Sequence, residues 1–450
     1  MKSQHSIAIL LFFLAISARA ENADFWKFAP TPPMGWNSYD AYGSSVTEAE
    51  LIANAAVMKE KLLPHGWNVC VVDYRWSDSA AIKHSKDGIG SQLEMDTYGR
   101  LLPASSRFPS AADGRGFKSL ADRIHAMGLK FGIHVMRGIP RQAVTQNTPI
   151  EGSTFHAVDA AKTNSTCGWC KDMYGVDGKS AAGQAYYDSL FQLYASWGVD
   201  FVKVDDLSSP YSDPEIEAIR KAIDKCGRAI VFSTSPGETP LKKSDHLEAH
   251  ANMWRISGDF WDTWKDINHT FDLAERWQSV GGPGRWPDSD MIPFGKLSIG
   301  NRSVGKERLS KLTRDEAQTL MSLWSLMPSP LMLGGNLVEY PPDTLSLITN
   351  DEVISVNQDA LGEKGKFIKK EGTADIWSKK LSDGSKAVGL FNRGDQPTKV
   401  TLSLNDLGMK NSCKARDLWS RQDLDSIKNE YTCILQPHGA QLLKIQVEHQ

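Results

Sequence analysis

Few cysteines, little net charge and no long apolar run beyond the first twenty residues characterise this chain of 450 residues. Its six Cys, at positions 70, 167, 170, 226, 413 and 433, are too sparse to form a disulfide framework at this length. A formal net charge of -3 leaves no basic footprint, so no nucleic acid is expected as a partner. No stretch after residue 20 approaches the ~20 apolar residues that cross a bilayer, so no membrane insertion is expected. A glycine-rich phosphate turn is missing too, because Met34-Gly35-Trp36-Asn37 is not one. Cys167-Gly168-Trp169-Cys170 has the spacing of half a zinc site or a redox motif, but no second Cys or His pair accompanies it at metal spacing. No metal and no cofactor is implied, and nothing in the chain fixes an oligomeric state.

What is present is an ordinary globular composition, 41% hydrophobic and 23% charged, with 14 Trp whose faces suit either a core or a sugar ring. Residues 1–20 read as a signal peptide: Lys2, an apolar run over 7–16, and the small-residue ending Ala18-Arg19-Ala20. The chain is therefore expected to be exported, either periplasmic or secreted. In that oxidising setting Cys413 and Cys433 could pair, and Cys167 and Cys170 form either a local disulfide or two free thiols.

Over residues 21–355, short apolar runs at 33–38, 68–74, 130–136, 201–206, 229–235, 253–259, 286–291 and 328–333 alternate with amphipathic helical patterns. Eight such β-then-α units have the pattern and size of a (β/α)8 TIM barrel, with a doubly wound open sheet as the alternative. Over residues 356–450 the texture changes to short strand-like runs separated by Gly, Asp, Asn and Pro turns, which predicts a C-terminal antiparallel β-sandwich domain.

Buried parallel strands deliver side chains to a site at their carboxyl ends, and here several strand ends are polar at once. They present Trp36, Asn37 and Asp40; Asp73, Tyr74, Arg75 and Trp76; His134 and Arg137; Lys203, Asp205 and Asp206; Trp254, Arg255 and Asp259; and Arg285, Trp286, Asp288 and Asp290. Carboxylates from different strands, flanked by Lys, Arg and Trp, suit a site that grips hydroxyls and cleaves a glycosidic bond by acid/base chemistry. Divalent metal binding is the competing reading, and the interleaved cations argue against it. Trp76 and Trp286 are either sugar platforms or walls, and Asp288 serves the pocket or only a turn.

Met34-Gly35-Trp36-Asn37, Val72-Asp73 followed by Trp76, Lys203-Val204-Asp205, Trp254-Arg255 followed by Asp259, and Arg285-Trp286-Pro287-Asp288-Ser289-Asp290 resemble glycoside hydrolase family 27 in order and spacing. This is the family of retaining α-galactosidases and α-N-acetylgalactosaminidases. The resemblance implies a TIM barrel followed by an antiparallel β domain, acting on an oligo- or polysaccharide. It also implies Asp205 as nucleophile and Asp259 as acid/base, with Lys203, Arg255, Trp36, Asp73 and Asp290 holding the sugar.

In that mechanism one carboxylate must be ionised and attack the anomeric carbon while the other is protonated, and Lys203 and Arg255 are expected to keep Asp205 ionised. Three positions depart from the family pattern. Tyr74 stands where a second Asp usually grips the 6-hydroxyl, His134 stands where Tyr is usual, and Leu207 replaces a Cys that would otherwise bond the loop after strand three. Tyr74 and His134 are assigned to the pocket lining. The expected activity is hydrolysis of terminal α-D-galactosides by a retaining exo-glycosidase. The alternatives are a sibling specificity (β-L-arabinopyranoside, α-N-acetylgalactosaminide or glucan) and, fitting less well, a non-catalytic carbohydrate-binding protein.

Overall fold

The computed structural model describes residues 24–81 and 92–448. The stretch read as a signal peptide lies outside the described residues. Among those residues no helix is long and apolar enough to cross a membrane.

Eight parallel strands form the first sheet: β1 (Met34–Asn37), β2 (Val69–Val72), β3 (Lys130–Met136), β4 (Phe201–Asp205), β5 (Val231–Thr234), β6 (Met253–Arg255), β7 (Trp286–Asp288) and β8 (Leu331–Leu333). Their order is β7-β6-β5-β4-β3-β2-β1-β8. The ring closes just past β7, where Ile292 bridges Leu333 in parallel and its N–H donates to Met332 O at 2.7 Å. That closure excludes the doubly wound alternative, whose sheet has two free edges.

Each of the first seven strands is followed by a helix of the outer layer: α1 (Glu48–Val57), α2 (Lys118–Ala126), α3 (Ala181–Trp197), α4 (Asp213–Lys225), α5 (Ser244–His250), α6 (Trp264–Trp277) and α7 (Arg314–Leu326). Their starts are written in side chains. Thr47 with Glu50 and Thr313 with Glu316 close reciprocal capping boxes, and the Ser180 and Thr263 hydroxyls accept from Gly183 N and Asp266 N. Gly198 ends α3 at φ 83°, a left-handed cap that turns the chain directly into β4.

The C-terminal part contains β9 (Lys366–Glu371), β10 (Ala374–Lys380), β11 (Lys386–Asn392), β12 (Thr398–Ser403), β13 (Cys413–Asp417), β14 (Gln422–Ile427), β15 (Glu430–Leu435) and β16 (Ala440–Val447). Six of these make one sheet in the order β9-β10-β11-β16-β13-β14, and β12 pairs with β15. Period-two alternation explains why the central strands are buried on both faces. Ile376, Val388, Leu390, Leu443 and Ile445 pack inside the sandwich with Val400 and Leu402, whereas Trp377, Ala387, Phe391 and Leu442 pack against the barrel core. Polar contacts seal the same seam: Trp419 Nε1 donates to Ser322 Oγ at 2.9 Å, and Trp264 stacks on His438 at 3.9 Å between ring centres.

All six cysteines are free thiols. The possible Cys413–Cys433 pairing is not made, and the two residues stand in different sheets, on β13 and β15. Cys167 and Cys170 take the free-thiol alternative.

Candidate active site

The carboxyl ends of the barrel strands surround a cavity of about 490 Å³. Seven of the nine residues singled out in the sequence line it: Asp73, Tyr74, Lys203, Asp205, Arg255, Asp259 and Asp290. Trp36 does not. It is fully buried and donates its indole N–H to Gly335 O at 2.8 Å. His134 also lies outside the lining, directly behind Asp205, with Nε2 3.0 Å from Asp205 Oδ2.

Asp205 is the last residue of β4 and is buried, and its Oδ1 has no hydrogen-bond partner. Burial alone would raise its pKa. The neighbouring His134, Lys203 and Arg255 outweigh burial and hold the carboxyl well below the usual carboxylate range. The His134 contribution, which is the largest of these three, was not part of the sequence expectation.

Lys203 points instead to Asp73, at 3.2 Å. Asp73 is further fixed by Asn37 Nδ2, which donates to Oδ2 at 2.7 Å, and by Ser38 Oγ, which accepts from its N–H at 2.9 Å. Burial disfavours charge on Asp73, but Lys203 and His134 reverse this and keep it below its ordinary value. The Asn at the end of β1 thus sets a carboxylate at the end of β2.

Asp206 follows at φ 66°, a left-handed conformation that Asp tolerates better than most residues, and its side chain parts from that of Asp205. Arg137 donates from Nη2 to Asp206 Oδ2 at 2.6 Å and from Nη1 to Glu215 Oε1 at 2.6 Å. Removing one partner of such a buried ion network costs about 3–5 kcal/mol. Asp206 therefore belongs to the scaffold.

On the opposite wall Arg255 donates from Nη2 to Gly258 O at 2.5 Å and lies 2.8 Å from Asp290 Oδ2 and 3.3 Å from Asp259 Oδ1. Asp290 sits at φ 83°, its Oδ2 accepts from Phe260 N at 2.8 Å, and its own N–H donates to Asp288 Oδ1 at 2.9 Å. Asp288 serves this turn. Burial, and then the carboxylates of Asp259 and Asp288, push Asp290 up to about 6 despite Arg255. Asp259 differs from the rest: its side chain is 68% exposed at the cavity mouth.

Tyr74 is 6% exposed, donates its hydroxyl to Cys170 Sγ at 3.2 Å, and meets Trp169 edge to face at 5.6 Å. Trp76 and Trp286 are buried walls, donating their indole N–H groups to His134 O and Ala29 O. Sequence reasoning missed Tyr39, Trp169, Phe260, Trp261 and Met291, all of which line the cavity. Tyr39 lies two residues past the end of β1, next to Asp40, which was singled out in the sequence and also lines the cavity.

A family model described as alpha galactosidase A matches residues 172–359, and one described as the alpha galactosidase C-terminal beta sandwich domain matches residues 371–445. Alpha-galactosidase 2 of Arabidopsis thaliana is 30% identical over 421 residues, covering 92% of this chain and 89% of that relative. The alpha-galactosidase of Cyamopsis tetragonoloba is 30% identical over 439 residues, covering 95% and 90%. A crystal structure of a GH27 β-L-arabinopyranosidase variant from Geobacillus stearothermophilus in complex with arabinose superposes with a TM-score of 0.92 at 47% identity, covering 95% of this chain and all of that one. A barrel with paired carboxylates at its strand ends, a C-terminal sandwich and similarity over nearly the whole length lead to one assignment: the chain belongs to the α-galactosidase family, glycoside hydrolase family 27, and is a glycosidase.

Proposed function

We propose that this glycosidase is a retaining exo-enzyme that removes terminal β-L-arabinopyranosyl residues, with the stereochemically matching α-D-galactoside as the slower substrate. The observation that carries this reading is Tyr74. A galactoside differs from a β-L-arabinopyranoside by its hydroxymethyl arm. Tyr74 brings an aromatic ring, with its hydroxyl given to Cys170, to the place where a carboxylate would grip that arm. The similarity to the arabinopyranosidase supports the same choice. The curated relatives named as α-galactosidases favour the second reading, in which the galactoside is the main substrate.

The chemistry follows from the two carboxyls. Asp205, ionised and with one oxygen uncommitted, attacks the anomeric carbon. The glycosidic bond breaks as Asp259 delivers a proton to the leaving oxygen. Asp259 stands at the open mouth, where the leaving group departs and water enters. It then takes a proton from that water, which displaces Asp205 and restores the original anomer. Lys203, Asp73, Arg255 and Asp290 form a charged cradle that orients hydroxyls and excludes misplaced sugars.

A panel of aryl glycosides (β-L-arabinopyranoside, α-D-galactoside, α-N-acetylgalactosaminide and α-D-glucoside) tests the assignment, with the first product anomer followed by NMR. The arabinopyranoside should have the highest kcat/KM, and the released sugar should first appear with the anomeric configuration of the substrate. A galactoside preference would transfer the assignment to the second reading, and an inverted first product would end the double-displacement mechanism.

A further inference from the structure

A second cavity, of about 450 Å³, lies away from the catalytic mouth. It is bounded by the 278–285 loop that enters β7 from its amino end and by β10 and β11 of the sandwich. It therefore opens at the opposite pole of the barrel from Asp205. Six Lys and Arg side chains line it: Arg285, Lys364, Lys366, Lys379, Lys380 and Lys386. The acidic lining residues are Glu363 and Asp406, and Asp406 is already paired with Lys369 at 2.7 Å. Arg285 has a partner in Glu248 at 3.2 Å, but among the described residues none of the five lysines forms an ion pair. In a protein of net charge -3 this is a local concentration of positive charge and not a sample of a basic surface.

The cluster is also built. Lys379 is 3% exposed, and its ammonium donates to Ser325 O at 3.2 Å and Val356 O at 2.5 Å. Lys386 Nζ donates to Leu407 O. Lys364 Nζ donates to Met327 O at 3.5 Å and stands over the Trp286 ring at 5.2 Å from its centre. Main-chain carbonyls thus hold three of the ammonium groups in place around the space. Burial and then the Lys379 charge hold Lys364 well below its ordinary pKa, and burial brings Lys379 down to about 7, so an anion held between them would favour the protonated form of both. Backbone carbonyls accept hydrogen bonds but carry no full negative charge, so the chemical complement of this lysine cluster is an anion. Several fixed N–H donors converging on one space select an oxyanion, which accepts from more than one side.

We propose that this cleft between barrel and sandwich binds an oxyanion group, either free or carried as the carboxylate of an acidic glycan. The site does not depend on which glycoside the catalytic cavity cleaves.

The test is calorimetric titration and thermal melting of the full chain with sodium sulfate, with sodium chloride at matched ionic strength, and with a short oligogalacturonate. Sulfate should bind saturably and raise the melting temperature where chloride does not. In Lys366→Gln/Lys380→Gln, which alters two exposed side chains, sulfate affinity should fall by about tenfold or more, as loss of charge-assisted hydrogen bonds requires. Aryl glycosidase activity and the melting temperature without sulfate should stay unchanged in that variant. Lys59→Gln/Lys61→Gln, with two exposed lysines on another part of the surface, should bind sulfate like the parent. Oligogalacturonate that binds more tightly than sulfate and competes with it would identify an acidic glycan as the source. Sulfate binding alone would identify a free oxyanion. Equal responses to sulfate and chloride, or an undiminished response in Lys366→Gln/Lys380→Gln, would overturn the site.

Discussion

His134 Nε2 stands 3.0 Å from Asp205 Oδ2, so the carboxylate at the end of β4 is backed by an imidazole from the neighbouring strand. Burial works against charge on Asp205, and His134 is the leading group that overcomes it. The consequence concerns the acid limb of activity, because Asp205, the proposed nucleophile, stays ionised to lower pH when its pKa is lowered. His134→Gln keeps a polar side chain but removes this contribution. The acid limb of kcat/KM should move up by about one pH unit, in line with the loss of one close favourable partner. An unmoved limb in a folded variant would assign His134 to packing alone.

Asp259 and Asp205 should separate cleanly when the leaving group is varied. In Asp259→Ala the first step loses its proton donor, so aryl glycosides with poor leaving groups should slow by about 10²- to 10⁴-fold, the usual worth of general acid catalysis. Substrates with highly acidic phenols should be affected far less. Added azide should restore turnover and give a glycosyl azide with the substrate's anomeric configuration. A uniform loss across all leaving groups would remove Asp259 from the acid/base role.

Tyr74→Asp restores a carboxylate beside Asp73 and opens the space filled by the ring. The ratio of galactoside to arabinopyranoside kcat/KM should rise by about tenfold or more, the effect of one added hydrogen bond to a substrate hydroxyl. The two substrates assayed side by side give the answer. A ratio that does not move would place the discrimination elsewhere on the wall, for example at Trp169.

Asp40 is buried with Oδ2 unpartnered, and burial followed by repulsion from Asp290 raises its pKa well above the ordinary value. A carboxyl with a raised folded-state pKa favours the folded state at low pH. That contribution is complete below the unfolded value and is lost as pH rises toward the folded one. Asp40→Asn removes the titration. Its melting temperature relative to the parent should therefore increase on going from acidic to alkaline buffer, and a difference independent of pH would contradict the assignment.

Most of the barrel could be read from the sequence because its strands are short apolar runs, several of them ending in charge, and amphipathic helical patterns alternate with them. The sandwich showed through its turns. Strand ends were less exact: β2 stops at Val72 and β6 at Arg255, so Asp73 and Asp259 stand in loops past the runs that announced them. Side-chain direction was the main thing hidden. Trp36 looked like a sugar contact, yet the pleat turns it into the core, and Tyr39 in the following turn faces the cavity. The His134 contact with Asp205 was equally invisible, since it joins residues 71 positions apart in the chain through strand register alone. Of the two cysteine pairs, Cys167 and Cys170 took the free-thiol alternative, and the possible Cys413–Cys433 bond was not formed.

The left-handed residue at Asp206 also bears on how such an enzyme can change over generations. By turning two consecutive carboxyls apart, it lets the Arg137–Glu215 network grip the main chain just beyond the proposed nucleophile Asp205. Tyr39, Tyr74 and Trp169, cavity walls proposed to face the outer rim of the sugar, lie outside that ion network. Mutation can therefore explore new sugars at those positions while the reacting oxygen stays where it is. Substrate range is free to drift in this architecture, and bond-breaking power is inherited.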